Sequence, residues 1–136
     1  MKKILIVLLG TTLITGCVTT SDSVLGTQNS QVETRNYQSR TFDTNDKQMV
    51  LRNVISTMQD LNFIIDRADE TLGTVSGTSF INNSKMTVSV RPVGKSQVLV
   101  RASAQAGWHE ITSATAYQNF FNSLSQSMFL DAHTVE

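Results

Sequence analysis

A single cysteine, Cys17, stands in the 136-residue sequence, so no disulfide can form within the chain and no CxxC pair exists for redox or zinc chemistry. Histidine is almost as scarce. His109 and His133 lie far apart in sequence, no HExxH pairing occurs, and a zinc site has no donor set. Serines are plentiful, but no Gly-x-Ser-x-Gly elbow presents one as a nucleophile. "LGTVSGTS" (72–79) lacks the Gly-Lys-Ser/Thr ending of a phosphate loop and does not lead into a helix, so Gly73 reads as a turn glycine and Gly77 as a bulge or edge glycine. Asp66, Asp69 and Glu70 crowd a turn without the spacing of a calcium loop and read as solvated carboxylates. Basic residues form no run, and the two tyrosines are not interleaved with Lys or Arg, so the footprint of a nucleic-acid surface is missing. Past the first twenty residues no apolar segment approaches the roughly 20 residues of a spanning helix. No metal, cofactor or catalytic constellation is implied, and the expectation is a protein that binds rather than an enzyme.

The first residues, "MKKILIVLLGTTLITGC", are informative in themselves. Lys2 and Lys3 precede an apolar run, Ile4 to Ile14, that is short for an anchor and has the flanks of an export signal. Ile14-Thr15-Gly16-Cys17 places an aliphatic residue and then small residues ahead of the cysteine. This leader resembles that of the bacterial lipoprotein family, in which the thiol receives diacylglycerol, the leader is cut before the cysteine, and the new amino group is acylated. The resemblance implies lipidation at Cys17, a signal peptide over 1–16, and attachment to a membrane through the lipid. Each buried CH₂ contributes about 0.8 kcal/mol, and two or more acyl chains make the attachment lasting. The alternative is an ordinary secretory peptide followed by an incidental cysteine. Val18 follows Cys17 where an Asp would imply inner-membrane retention, so the resemblance implies the outer membrane; the expectation is a protein facing the periplasm, with exposure at the cell surface as the alternative.

Residues 18–33 ("VTTSDSVLGTQNSQVE") have little to bury and read as a tether, of r.m.s. reach on the order of 20–24 Å. The expected organisation is thus a leader (1–16), the lipidated cysteine with its tether (17–33), and one α+β domain (34–136). With the leader lysines removed, acidic residues slightly outnumber basic ones.

Periodicity supplies the elements. "RNYQSRTFDT" (35–44) alternates as a first strand. Val50, Leu51, Val54, Ile55, Met58 and Leu61 recur at helical steps, with Thr44 as cap and Asn62 as stop. Strands follow over 63–68, 74–80, 85–92 and 97–104, the last two alternating cleanly through Met86, Val88, Val90 and Val98, Val100, Ala102, Ala104. A final helix from Thr112 or Ser113 carries Tyr117, Phe120, Phe121, Leu124, Met128 and Phe129. The pattern β-α-β-β-β-β-α predicts a two-layer α+β sandwich, an antiparallel sheet of four to five strands with two amphipathic helices on one face.

"RTFDT", "QDLNFIID", "LGTVSG" and "YQNFF" resemble small envelope lipoproteins of Gram-negative bacteria that have no assigned activity. In fold alone, the predicted arrangement is similar to the helix-grip domains of the C lipoprotein of the outer-membrane β-barrel assembly machine, which is a weak warrant for function. The resemblance implies a non-catalytic accessory or assembly subunit of an envelope machine (transport, secretion, efflux or barrel assembly) with protein partners in the envelope. "AGWHEIT" (106–112) offers Trp108, His109 and Glu110 as the partner-binding candidates, because Trp is enriched at interface hot spots; alternatively Trp108 folds back over the core. A second function is a module for a small envelope ligand, a lipid or peptidoglycan fragment, held between helices and sheet in a pocket lined by Met58, Phe63, Phe120 and Met128. A filled core with an exposed Trp108 loop favours the first function.

Overall fold

The computed structural model describes residues 31–133; the leader, Cys17 and most of the expected tether lie outside the described residues. The elements are α1 (Gln31–Tyr37), β1 (Ser39–Phe42), α2 (Lys47–Asp60), β2 (Phe63–Asp69), β3 (Thr74–Ser79), β4 (Ser84–Val93), β5 (Gln97–Ala106), β6 (His109–Glu110) and α3 (Ala114–His133). All strand pairs are antiparallel, in the order β1-β5-β4-β3-β2, and β6 pairs with β5.

The α+β class and the helices packed on an antiparallel sheet agree with the sequence pattern, while three details differ. The expected first strand over 35–44 is divided. Its front part belongs to α1, which takes in Gln31–Glu33 from the expected tether, and pairing starts at Ser39. A seven-residue helix is marginal alone. Here Glu33 in the first turn and Arg35 in the last complement the helix dipole, and the Tyr37 ring packs 5.7 Å from that of Tyr117. Secondly, Asp46 rather than Thr44 caps α2, accepting a 2.8 Å bond from the Met49 N–H. A carboxylate does this better than a hydroxyl because the helix N-terminus is positive. Thirdly, the sheet gains the two-residue strand β6 in what read as loop. Asn62 does end α2, with φ of 66° in the left-handed region that Asn tolerates.

Alternation sets the core. The buried residues Met86, Val88, Val90, Val98, Val100, Ala102 and Ala104 share one face of β4 and β5, joined by Val75 of β3. Against them lie Val50, Leu51, Val54 and Met58 from α2, and Tyr117, Phe120, Phe121 and Leu124 from α3. Ile55 and Leu61 are half-buried, and Phe129 is 62% exposed, so those three sit at or beyond the margin of their stripes. Where the helices meet, Ser127 donates to the Asn53 side-chain oxygen at 2.7 Å, and Asn53 donates to the Met49 carbonyl at 3.0 Å. Gly77 is needed for packing: a Cβ there would come within 2.7 Å of the Ile64 carbonyl oxygen and 3.0 Å of the Met58 methyl. No helix among the described residues is long and apolar enough to cross a membrane.

Among the described residues, no helix lies on the opposite face of the sheet. Thr87 opposite Ser103, Lys85 opposite Gln105, and Ser89 opposite Arg101 make a polar surface of short hydroxyls and long charged side chains.

Candidate functional site: a hairpin tip beside an open sheet face

β5 and β6 are joined by a two-residue turn, Gly107-Trp108, closed by the pair Ala106 and His109. Gly107 takes φ of +60° and Trp108 does not share it, the pattern of a type II′ hairpin turn with glycine first. The turn holds the Trp108 ring outside the fold, where it is fully exposed. Trp108 is therefore no lid over the core.

The base of this hairpin is firmly tied. β1 and β6 lie end to end along the same edge of β5, leaving a gap opposite Ala104. The Tyr117 hydroxyl fills that gap: it accepts from the Ala104 N–H at 2.9 Å and from Gln38 Nε2 at 3.3 Å, and donates to the Ile111 carbonyl at 2.8 Å. Gln38, itself buried, also donates to Glu110 Oε1 at 2.8 Å. Desolvation raises the Tyr117 phenol above its ordinary value, outweighing the lowering by the Ala104 and Gln38 bonds.

A second turn lies beside the first. Register pairs Ser84, the first residue of β4, with Ala106, the last of β5, so the Phe80–Asn83 turn and the Gly107–Trp108 turn share one end of the sheet. Phe80 is 65% exposed and Ile81 69%. The turn is rigid. Asn82 Oδ1 accepts from the Ser84 N–H and hydroxyl at 3.1 and 2.7 Å, Ser79 Oγ accepts from the Ile81 N–H at 3.3 Å, and Asn83 adopts φ of 54°. Three large apolar side chains are thereby held in water at one end.

On the open face, Asp66, Ser76, Lys85, Thr87, Ser103 and Glu110 line a shallow depression of about 430 Å³. A bulge in β2 between Ile65 and Arg67 sets the Asp66 carboxylate, which accepts from the Thr78 hydroxyl at 2.7 Å.

Of the residues singled out by sequence, Trp108, His109 and Glu110 do come together on the hairpin, all three exposed. Glu110 turns to Gln38 and the depression, and Cys17 lies outside the described residues. Asp66, Asp69 and Glu70 do not converge. Asp69 accepts from the Leu72 N–H at 2.9 Å and faces Arg67 at 3.7 Å, and the Glu70 carbonyl accepts from Lys47. Among the described residues no group of three or more His, Cys, Asp or Glu could hold a metal ion. The four residues whose pocket would favour a ligand module pack together instead: Met58 and Phe120 are buried in the core, with Phe63 and Met128 packed against it. Phe80 and Ile81 were missed by the sequence reading, which assigned Phe80 to a strand. The signal was two consecutive large apolar residues before Asn-Asn, since alternation cannot bury both.

No protein-family model matches the chain, and no curated protein matches it.

Proposed function

We propose that the protein is a periplasm-facing outer-membrane lipoprotein, anchored through Cys17, that serves as a non-catalytic accessory or assembly subunit of an envelope machine. The observation that carries this reading is the exposed Trp108 on a hydrogen-bonded hairpin, in a domain whose helix–sheet core is already closed. An isolated exposed apolar residue needs no explanation, but a rigid end presenting Trp108, Phe80 and Ile81 together does. Such an end is a docking surface, and docking fixes how an accessory subunit is presented to its neighbours. The lipobox and the apolar leader supply the anchor in this reading.

The depression on the open face supports a second function, a binding module for a small envelope ligand. Its site would then be the polar face of the sheet and not the space between helices and sheet.

Trp108→Ala separates the two. Removal of a surface side chain away from the core changes stability by about ±0.5 kcal/mol or less. Loss of a hot-spot Trp weakens docking by ~2 kcal/mol or more, over thirtyfold in affinity. The expected outcome is an unchanged thermal midpoint with loss of the envelope neighbours that are cross-linked to the wild-type protein in intact membranes, because the hairpin fixes how the domain is presented to them. Unchanged cross-linking removes the hairpin as the docking surface and leaves the ligand module.

A further inference from the structure

The two ends of the sheet differ in chemistry. The far end, where β2 turns into β3, β4 turns into β5 and β1 leads into α2, mixes charges of both signs, with Asp43, Asp46, Asp69 and Glu70 beside Lys47, Arg67, Arg91 and Lys95. The near end, over 80–85 and 105–109, contains Phe80, Ile81 and Trp108, with Lys85 and His109 and no carboxylate. Its neighbouring acidic groups are Asp60, at the end of α2, and Glu110, bonded to Gln38. The apolar groups stand on two narrow turn tips, side by side, and not on a flat face. Flat apolar faces suit a protein partner. Separate tips flanked by uncharged polar side chains (Asn82, Asn83, Gln105) and a cation suit the headgroup–acyl boundary of a bilayer, where Trp rings concentrate and anionic headgroups attract Lys.

Chain geometry allows the contact. Fourteen chain steps lead from Cys17 to Gln31, so at about 3.6 Å per step the start of α1 lies no more than ~50 Å from a lipid on Cys17. The chain also enters beside the near end: the Tyr37 hydroxyl at the close of α1 bonds the Thr112 carbonyl at 2.8 Å, two residues past β6.

We propose that the Phe80–Ile81 and Gly107–Trp108 turns seat the domain on the lipid bilayer that holds its anchor. The three apolar side chains enter the interfacial layer, and the strands stand up from the membrane. This inference names the counterpart of the docking surface and rests on the anchored reading given above. Seated in this way, the domain turns its open polar face and its helical layer sideways, toward neighbours in the same membrane plane, and carries its charged end away from the headgroups.

Trp108 is the sole tryptophan of the chain, so its emission reports this contact directly. The test uses the protein purified from cell membranes and reconstituted into phosphatidylethanolamine–phosphatidylglycerol vesicles, with and without brominated acyl chains. Its intact mass records whether Cys17 is acylated, independently of the fluorescence. The expected result is blue-shifted Trp108 emission that is quenched by the brominated lipid. A Phe80→Ser, Ile81→Ser double variant with an unchanged thermal midpoint should seat more weakly, by about tenfold or more, and lose the quenching. Leu72→Ser, which removes an exposed apolar side chain from the far end, should leave the quenching intact. If the protein is acylated but Trp108 emits as a water-exposed indole without quenching, the seat is wrong and the hairpin docks on protein. If it is not acylated, the same vesicles are added in excess to the free protein: quenching still supports the seat although the anchor fails, and its absence overturns both. Equal loss of quenching in Leu72→Ser overturns the assigned orientation.

Discussion

Tyr117 is the residue on which the Gly107–Trp108 hairpin depends, although it is itself buried. Its hydroxyl takes the place of a strand between β1 and β6, so the Ala104 N–H is satisfied by a side chain, while the Ala104 carbonyl accepts from the Ile111 N–H. Tyr117→Phe keeps the ring and deletes three bonds, leaving the Ala104 N–H unpaired in a dry place at a cost of about 1–3 kcal/mol. We expect a lower thermal midpoint and faster amide exchange at Ala104. The pH dependence follows from the raised phenol. The folded state holds the proton more tightly than the unfolded chain, whose phenol titrates near the ordinary value of 10.0. The contribution is therefore fully present below about pH 10 and is lost as pH rises through the higher folded value. Thermal midpoints measured up to the alkaline range should fall more steeply above pH 10 for the wild type than for Tyr117→Phe. Parallel curves would contradict this assignment.

At the scale of elements, the helix stripes and the alternating strands were legible in the sequence because each follows from one local period. Val50, Val54 and Met58 are buried as their spacing requires, as are Val88 and Val90. Legibility stopped where tertiary contacts decide. Only residues 35–37 of α1 belong to the stretch whose alternation predicts a strand, and there Tyr37 packs on Tyr117 and bonds Thr112 instead of extending a ladder that has no partner. β6 is two residues long and has no period to read. The hairpin candidates Trp108, His109 and Glu110 were visible from composition, whereas the proximity of Phe80 and Ile81 to Trp108 depends on the pairing of Ser84 with Ala106, which no local pattern shows. The two helix stripes also differ in depth. Phe120 is 1% exposed and Leu61 only half-buried, so Phe120→Ala should cost about 3–5 kcal/mol and Leu61→Ala less than the 2–5 of a fully buried leucine. Chemical denaturation of both variants checks the order; an equal or larger loss for Leu61→Ala would contradict the packing described.

On the scale of the whole molecule, the chain joins one long-range pairing to a local meander. β2, β3, β4 and β5 follow one another through short turns, whereas β1 reaches β5 across most of the domain, with Ser39 opposite Arg101. The core residues that are almost wholly shielded run from Val50 to Leu124, and α1 and β1 add only the half-buried Tyr37 and Phe42 to that cluster, together with the buried Gln38. The N-terminal segment of the domain is thus the part with the least apolar area to lose. Under mechanical tension on its N-terminus, such as the proposed lipid anchor would apply, the domain should yield in a fixed order: α1 and the four-residue β1 peel away first, and the meander with α2 and α3 holds. Single-molecule pulling between Gln31 and the C-terminus should show a small early extension at low force before the main rupture, and a single undivided rupture would contradict it. A short, sacrificial stretch of fold in series with the lipid would act as a shock absorber, giving length under load while the turn tips and the core stay as they are.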